Sequence, residues 1–272
     1  MTAIRTLGYL TLDAGPVETI EAAATAGFKS VGIRICGRRL ADPYPQIIGN
    51  RHAIAEIRRR IADTGMSLSN VSAYHVYPDV GVNDMRRVID TVVDLGARIM
   101  VANSYDPDEN AYVDKLRTYC EHGAPAGLRI AVEFMRYSGV KTIQDASRVV
   151  AAVGTQNIGI LVDALHLARS GGTPADIGKV DARSIAFAQL CDGKRLDGEV
   201  TDDVLRVEAR TGRLYPGDGN LPLREFLAAL PPGTEIEYEV PRQDLGLLTL
   251  TERAKVAFSA FQTYLDSPQG KT

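Results

Sequence analysis

Short apolar runs alternate with longer amphipathic stretches along the whole chain, and this alternation restricts its fold more than any other feature. Strand-like runs lie at Ile4–Leu12, Ser30–Ile35, Leu68–Ala73, Arg98–Asn103, Leu128–Phe134, Ile158–Asp163, Ser184–Cys191 and Glu235–Val240. Between them the spacing predicts helices over Val17–Ala26, Arg51–Thr64, Asn83–Leu95, Asp108–His122, Thr142–Val153, Leu223–Leu230 and Leu247–Tyr264, with a short one near Pro174–Lys179. In Arg51–Thr64, for example, Ile54, Ile57 and Ile61 recur at helical spacing and arginines take the other face. Gly27, Gly65, Gly96 and Gly154 fall where helices should stop. A longer excursion, Asp192–Asn220, follows the seventh strand.

Repeated strand–helix units without a break in composition predict one closed parallel (β/α)8 barrel, a TIM barrel, over the 272 residues, with 267–272 as a frayed tail. A doubly wound open sheet would show a glycine-rich phosphate loop after the first strand. Gly8-Tyr9-Leu10-Thr11-Leu12-Asp13 is not one.

Composition works by exclusion. A formal net charge of −3 gives no pull toward nucleic acid or anionic membrane. Three widely spaced cysteines, Cys36, Cys120 and Cys191, form no CxxC, which speaks against a disulfide framework or thiolate metal site and suits a cytoplasmic setting. The N-terminal residues lack a basic region followed by an apolar stretch, so no signal peptide is expected. No run approaches the ~18 apolar residues of a membrane span.

In a barrel of this kind the active site lies at the C-terminal ends of the strands. Four consecutive strands carry an ionisable or amide group there: Glu133, Asp163, Gln189 and Glu239, with His166 shortly after Asp163. Carboxylates converging in one mouth repel each other, and a divalent cation relieves that cost. Oxygen ligands suit Mg²⁺ or Mn²⁺, with Co²⁺ tolerated. Each residue also has a plainer reading. Glu133 could pair with a rim arginine, Asp163 could cap a turn, Gln189 could be a buried amide bonded to backbone, and His166 could be structural. Glu237 shares a strand face with Glu239, which is nearer the open end and therefore the better candidate.

Taken together, Ala131-Val132-Glu133-Phe134-Met135, the run Asn157 to Gly171 containing Asp163-Ala164-Leu165-His166, Ala188-Gln189-Leu190-Cys191-Asp192, Arg213-Leu214-Tyr215-Pro216-Gly217-Asp218-Gly219 and Glu237-Tyr238-Glu239-Val240-Pro241 resemble the sugar phosphate isomerase/epimerase family, the xylose-isomerase-like barrels. The resemblance is specific from the fifth strand onward. It implies a metal held by Glu133, Asp163, Gln189 and Glu239, with Glu133, His166 and Glu239 catalytic. The family commonly has histidine where this chain has Gln189, and members resembling 3-dehydroshikimate dehydratases carry glutamine there. Arg213 matches the arginine before the Pro-Gly-x-Gly turn, near substrate. Arg34 and Arg169 could likewise bind a carboxylate or phosphate.

The chemistry so implied is metal-assisted deprotonation of a small polyhydroxylated carbonyl compound (a sugar, ketose or cyclic polyol) through an enediolate. Reprotonation makes an isomerase or epimerase; loss of a β-hydroxyl makes a dehydratase. A non-catalytic sugar-binding barrel is the alternative outside enzymes. A DNA-repair endonuclease of the same superfamily would need several zinc-binding histidines, and only His52, His75, His122 and His166 exist. The family leads to the expectation of a homodimer or homotetramer.

Overall fold

The computed structural model describes residues 5–39, 42, 44–198 and 200–267. Eight parallel strands close into a barrel in chain order: β1 Arg5–Leu7, β2 Ser30–Arg34, β3 Ser67–Val76, β4 Ile99–Ser104, β5 Arg129–Glu133, β6 Ile158–Asp163, β7 Ile185–Leu190 and β8 Ile236–Tyr238, with β8 pairing back onto β1. Around them lie α1 Pro16–Ala26, α2 Arg51–Thr64, α3 Val82–Leu95, α4 Glu109–Gly123, α5 Ile143–Val153, α6 Ala164–Arg169, α7 Pro174–Ile177, α8 Asp202–Thr211, α9 Leu223–Ala229 and α10 Leu250–Asp266. The fold expected from the sequence is therefore the fold observed.

The helices end as the residues dictate. Side chains of Asn50, Asp108, Thr142 and Thr249 accept hydrogen bonds from the first turns of α2, α4, α5 and α10. The glycines expected to stop helices do so in the left-handed conformation, Gly96 at φ +79° among them. The three cysteines are buried and free. No helix among the described residues is long and apolar enough to cross a membrane.

Three local expectations need correction. The first apolar run gives only Arg5–Leu7 as strand, because the chain leaves the sheet at Gly8, where a Cβ would press on the buried Glu237 carboxyl. The excursion after β7 is not irregular throughout. Thr201 caps α8 inside it, and Leu205 and Ala209 anchor that helix to the core. A short helix, α6, begins directly after Asp163. Of the expected tail, Ser267 donates its backbone N–H to the Thr263 carbonyl, and 268–272 lie outside the described residues, as does Ile4.

The barrel interior is divided. Inward-facing Ile99 and Val101 of β4, Ala131 of β5, Leu161 of β6 and Phe187 of β7 form a separate apolar floor. Strand side chains repeat every second residue on one face. One pleat above that floor therefore come Asn103, Glu133, Asp163 and Gln189, all buried. The other half of the interior is polar. On β8, Glu235, Glu237 and Glu239 rise in a column. Glu235 meets Thr6 and Arg98; Glu237 accepts from Asn70, which in turn accepts from the Ser72 hydroxyl at 2.8 Å. Gly8 and Gly32 leave the space that Glu237 fills.

Candidate active site

The strand ends bring five groups to one point. The β5 carboxylate, Glu133, accepts from the Asn103 amide through Oε2, and its Oε1 lies 3.8 Å from His166 Nε2. Asp163 ends β6 and caps α6: its Oδ1 accepts the His166 backbone N–H at 2.9 Å. The plain capping role and the site role are thus held by one carboxylate, with Oδ2 facing the site. The short helix places His166 beside both carboxylates. Ligand atoms of Glu133, Asp163 and His166 all lie within 4.8 Å of one another.

Arg213 enters from the segment after α8. It is 2% exposed, a burial that an arginine tolerates only when paired. Its Nη1 lies 2.5 Å from Asp163 Oδ2, its Nη2 lies 2.8 Å from Glu239 Oε1, and its Nε donates to the Ala209 carbonyl at 2.9 Å. Gln189 Nε2 donates both to Glu237 Oε1 at 2.8 Å and to Glu239 Oε2 at 2.5 Å. Its Oε1 is buried without a hydrogen-bond partner. The register pairs Asp163 with Gln189 and Gln189 with Glu237 across β6, β7 and β8.

Electrostatics follow from this crowding. Burial, then repulsion from Glu239 and Asp163, pushes the Glu133 carboxyl up to about 8. Burial raises Glu239 to about 7, against the pull of Arg213. Burial also works to raise Asp163, but Arg213 and His166 outweigh it and hold this carboxyl below its ordinary range. His166 is pushed down to about 4, chiefly by burial, so it is a neutral imidazole near pH 7. The site thus combines one firmly ionised carboxylate, two carboxyls poised near neutrality and a neutral imidazole.

This donor set fits a divalent cation. A buried amide oxygen without a partner is costly unless something satisfies it, and Gln189 Oε1 is such an atom beside clustered carboxylates. A cation would also relieve the repulsion that raises Glu133.

The cleft that Glu133, His166 and Arg213 reach measures about 70 Å³ and is walled by Tyr9, His75, Tyr105, Met135 and Tyr137, with Arg34, Arg38 and Arg210 also lining it. Burial, then the charge of Glu239, pushes up the phenol of Tyr9, just past Gly8. Arg34 reaches the cleft while donating to the Leu12 and Cys36 carbonyls. Arg169 does not join the others. It forms a two-pronged pair with Glu208 at 2.7 and 2.6 Å and donates to the Lys194 carbonyl, so its guanidinium is already taken.

Sequence reasoning passed over Tyr9, Tyr105, Tyr137 and Arg210 as site residues, and gave Asn103 only as part of a loop that would shape the substrate site. Asn103 carried a signal, since it stands two residues after Val101 as Glu133 stands after Ala131. The tyrosines and Arg210 come from loops and from a helix whose placement depends on the closed barrel.

Comparison with known proteins agrees with this architecture. A family model described as xylose isomerase-like TIM barrel matches residues 20–256. A 3-dehydroshikimate dehydratase of Pseudomonas putida is 24% identical over 239 residues, covering 83% of this chain and 35% of the dehydratase. An inosose isomerase of Halalkalibacterium halodurans is 25% identical over 160 residues, covering 55% of this chain and 54% of the isomerase. The chain thus spans about a third of the dehydratase and about half of the isomerase. Among solved structures, a zinc-bound IolI protein superposes with a TM-score of 0.78 at 19% identity, covering 96% of this chain and 97% of that one.

Proposed function

The chain belongs to the xylose isomerase-like TIM-barrel family, and from that premise we propose that it is a divalent-metal-dependent enzyme that removes a proton from the carbon beside the carbonyl of a small polyhydroxylated compound. One observation carries the reading: Glu133 clusters with Asp163 and His166 in a buried site, and Arg213 ties Asp163 to Glu239 from the end of β8. Glu133, Asp163 and Glu239 would hold the ion, with Gln189 Oε1 or His166 completing its ligands. Mg²⁺ or Mn²⁺ suits such donors, and Co²⁺ would be tolerated. When bound, the ion supplies Lewis acidity toward the carbonyl oxygen.

The chain's own groups handle the proton. Asn103 fixes one oxygen of Glu133, which leaves Oε1 to face the substrate. Glu133 is the carboxylate placed to accept and return the proton, and a bound cation would lower its pKa from the raised value of the metal-free site. His166, neutral and 3.8 Å from that oxygen, accepts the proton at Nε2 when it must be carried onward. Gln189 orients Glu239 by donating to its Oε2. Tyr105, Met135 and Tyr137 wall the site against bulk water.

Return of the proton to the neighbouring carbon or the opposite face gives isomerisation or epimerisation, the leading reading. Expulsion of a β-hydroxyl, with His166 delivering its proton to the leaving oxygen, gives dehydration. Gln189 favours this second reading, since dehydratase-like members of the family carry glutamine at that position. The test is to incubate Mg²⁺-loaded protein in D₂O with 3-dehydroshikimate, an inosose and a set of ketohexoses. Deuterium uptake by mass spectrometry reports proton removal, and ultraviolet absorbance reports a conjugated dehydration product. The reading predicts uptake or product with at least one compound, and neither with any of them would overturn it.

A further inference from the structure

The lining of the cleft is strongly basic, and most of its arginines lack ion-pair partners among the described residues. Four arginines line the cleft, Arg34, Arg38, Arg210 and Arg213, against one carboxylate, Glu133. Arg213 is held by Asp163 and Glu239. Neighbouring arginines are likewise paired: Arg39 with Asp79 at 2.9 Å and Arg206 with Asp203 at 2.7 Å. Among the described residues, no carboxylate lies within ion-pair distance of Arg34, Arg38 or Arg210. Arg34 is instead held in place by two backbone carbonyls and by the faces of Tyr9 and Tyr44, 5.9 and 5.2 Å from the ring centres. Its orientation is therefore fixed by contacts that leave its charge uncompensated.

His75 reports on the same region. It ends the inward course of β3 against Tyr105, with ring centres 4.9 Å apart, and its Nδ1 is buried with no hydrogen-bond partner. Burial, then the charges of Arg34, Arg210 and Arg38, pushes this imidazole down to about 3. A neutral imidazole with an unpartnered nitrogen thus borders three unpaired guanidinium groups. Arg210 also borders a larger depression of about 320 Å³, which shares Leu12 with the cleft and gives a ligand room to extend outward.

We infer that Arg34, Arg38, Arg210 and His75 form an oxyanion subsite, and that the substrate is therefore an acid: a polyhydroxylated carbonyl compound bearing a carboxylate or a phosphate. The inference rests on the function proposed above, because this subsite and the proton-transferring groups share one cleft. Guanidinium groups bind either oxyanion through charge-assisted, often two-pronged hydrogen bonds, and a site already furnished with unpaired cations rejects a neutral compound of the same shape.

Calorimetric titration of Mg²⁺-loaded and metal-stripped protein tests this, with 3-dehydroshikimate as carboxylate, D-fructose 6-phosphate as phosphate and an inosose as neutral compound. At least one acid should bind roughly tenfold or more tightly than the neutral compound, and should lose affinity as salt rises. Which acid does so identifies the oxyanion. Arg210→Gln and Arg38→Gln, made separately, should each weaken that acid about tenfold while leaving inosose and Mg²⁺ affinities unchanged. Arg38 is exposed, so its variant has no folding burden. A neutral compound binding as tightly as both acids, or acid affinity unmoved in both variants, would overturn the subsite. Failure of Mg²⁺ to bind while an acid still binds the stripped protein would instead remove the metal-dependent reading and leave the subsite standing.

Discussion

Glu133 and Glu239 should be hard to replace even by their amides. Glu133→Gln keeps the shape and the Asn103 contact but removes the proton acceptor, so turnover should fall by about 10²–10⁴-fold, with metal binding weakened in both Glu133→Gln and Glu239→Gln. Turnover retained in both variants would refute the site. His166→Ala should slow turnover yet leave metal bound. Loss of metal there would make the imidazole a ligand and leave Gln189 to act through Glu239. His75 gives a test by pH. Its folded value, about 3, lies below the ~6.5 of a free imidazole, so the unfolded chain binds more protons between these values. Stability is thus complete above about pH 6.5 and lost as pH falls toward 3. A melting profile of His75→Gln from pH 8 to 4 should be flatter than that of the unaltered protein, with His166 keeping some slope in both. The acidic and amide residues that end β5, β6 and β7 were legible in the sequence because each stands two residues beyond an apolar strand position: Ala131 before Glu133, Leu161 before Asp163, Phe187 before Gln189. The partners were not. That Asp163 both caps α6 and holds Arg213, fifty residues on, is a fact of folding that no local pattern contains.

The least regular stretch of the chain holds the most specific device at the level of elements. Asp192, directly after β7, accepts the backbone N–H groups of Gly193, Leu221, Gly217 and Gly219 at 2.8–3.0 Å. The Arg213-to-Gly219 segment winds around that carboxylate, and its glycines have structural causes. Gly217 has φ +97°, and a Cβ at Gly219 would collide with Asp192. Asp192 also pairs with Leu214 through two backbone hydrogen bonds at 2.9 Å, next to Arg213. Asp192→Ala should therefore cost roughly 3 kcal/mol in a denaturant titration, since four backbone N–H groups, one buried and the others only partly covered, lose their acceptor. It should also lower turnover by loosening Arg213; unchanged stability and unchanged turnover would contradict this role. The helices and strands flanking this stretch were readable from periodicity and helix-stop glycines. Helix α8 was not, because only Leu205 and Ala209 of it are buried, and that is too little apolar pattern to distinguish it from a polar loop.

For the molecule as a whole, the closed sheet concentrates charge where it is hardest to solvate. Two carboxyl groups, Asp163 and Glu239, share one guanidinium with Glu133 close by, and all of them are nearly inaccessible to water. A cation binding the folded chain and not the unfolded one must raise the melting temperature, by an amount that grows with its concentration. We expect this with Mn²⁺; an unchanged melting temperature would contradict the metal-dependent reading. Arg213→Met should destabilise the metal-free protein by about 3–5 kcal/mol, and Mn²⁺ should then restore more stability than it adds to the unaltered chain. The barrel itself was the most legible feature, because eight units of alternating period leave few other ways to bury every apolar run. Which half of its interior would be polar was not legible, since Thr6, Asn70 and Glu237 meet only when β8 closes onto β1. The guanidinium between Asp163 and Glu239 has a consequence for the life of the protein as well as for its chemistry. A tethered cation already offsets Asp163 and Glu239 in the ion-free chain, so on the reading proposed above loading would be an exchange of partners at a finished site, and depletion of the ion would leave a recoverable protein.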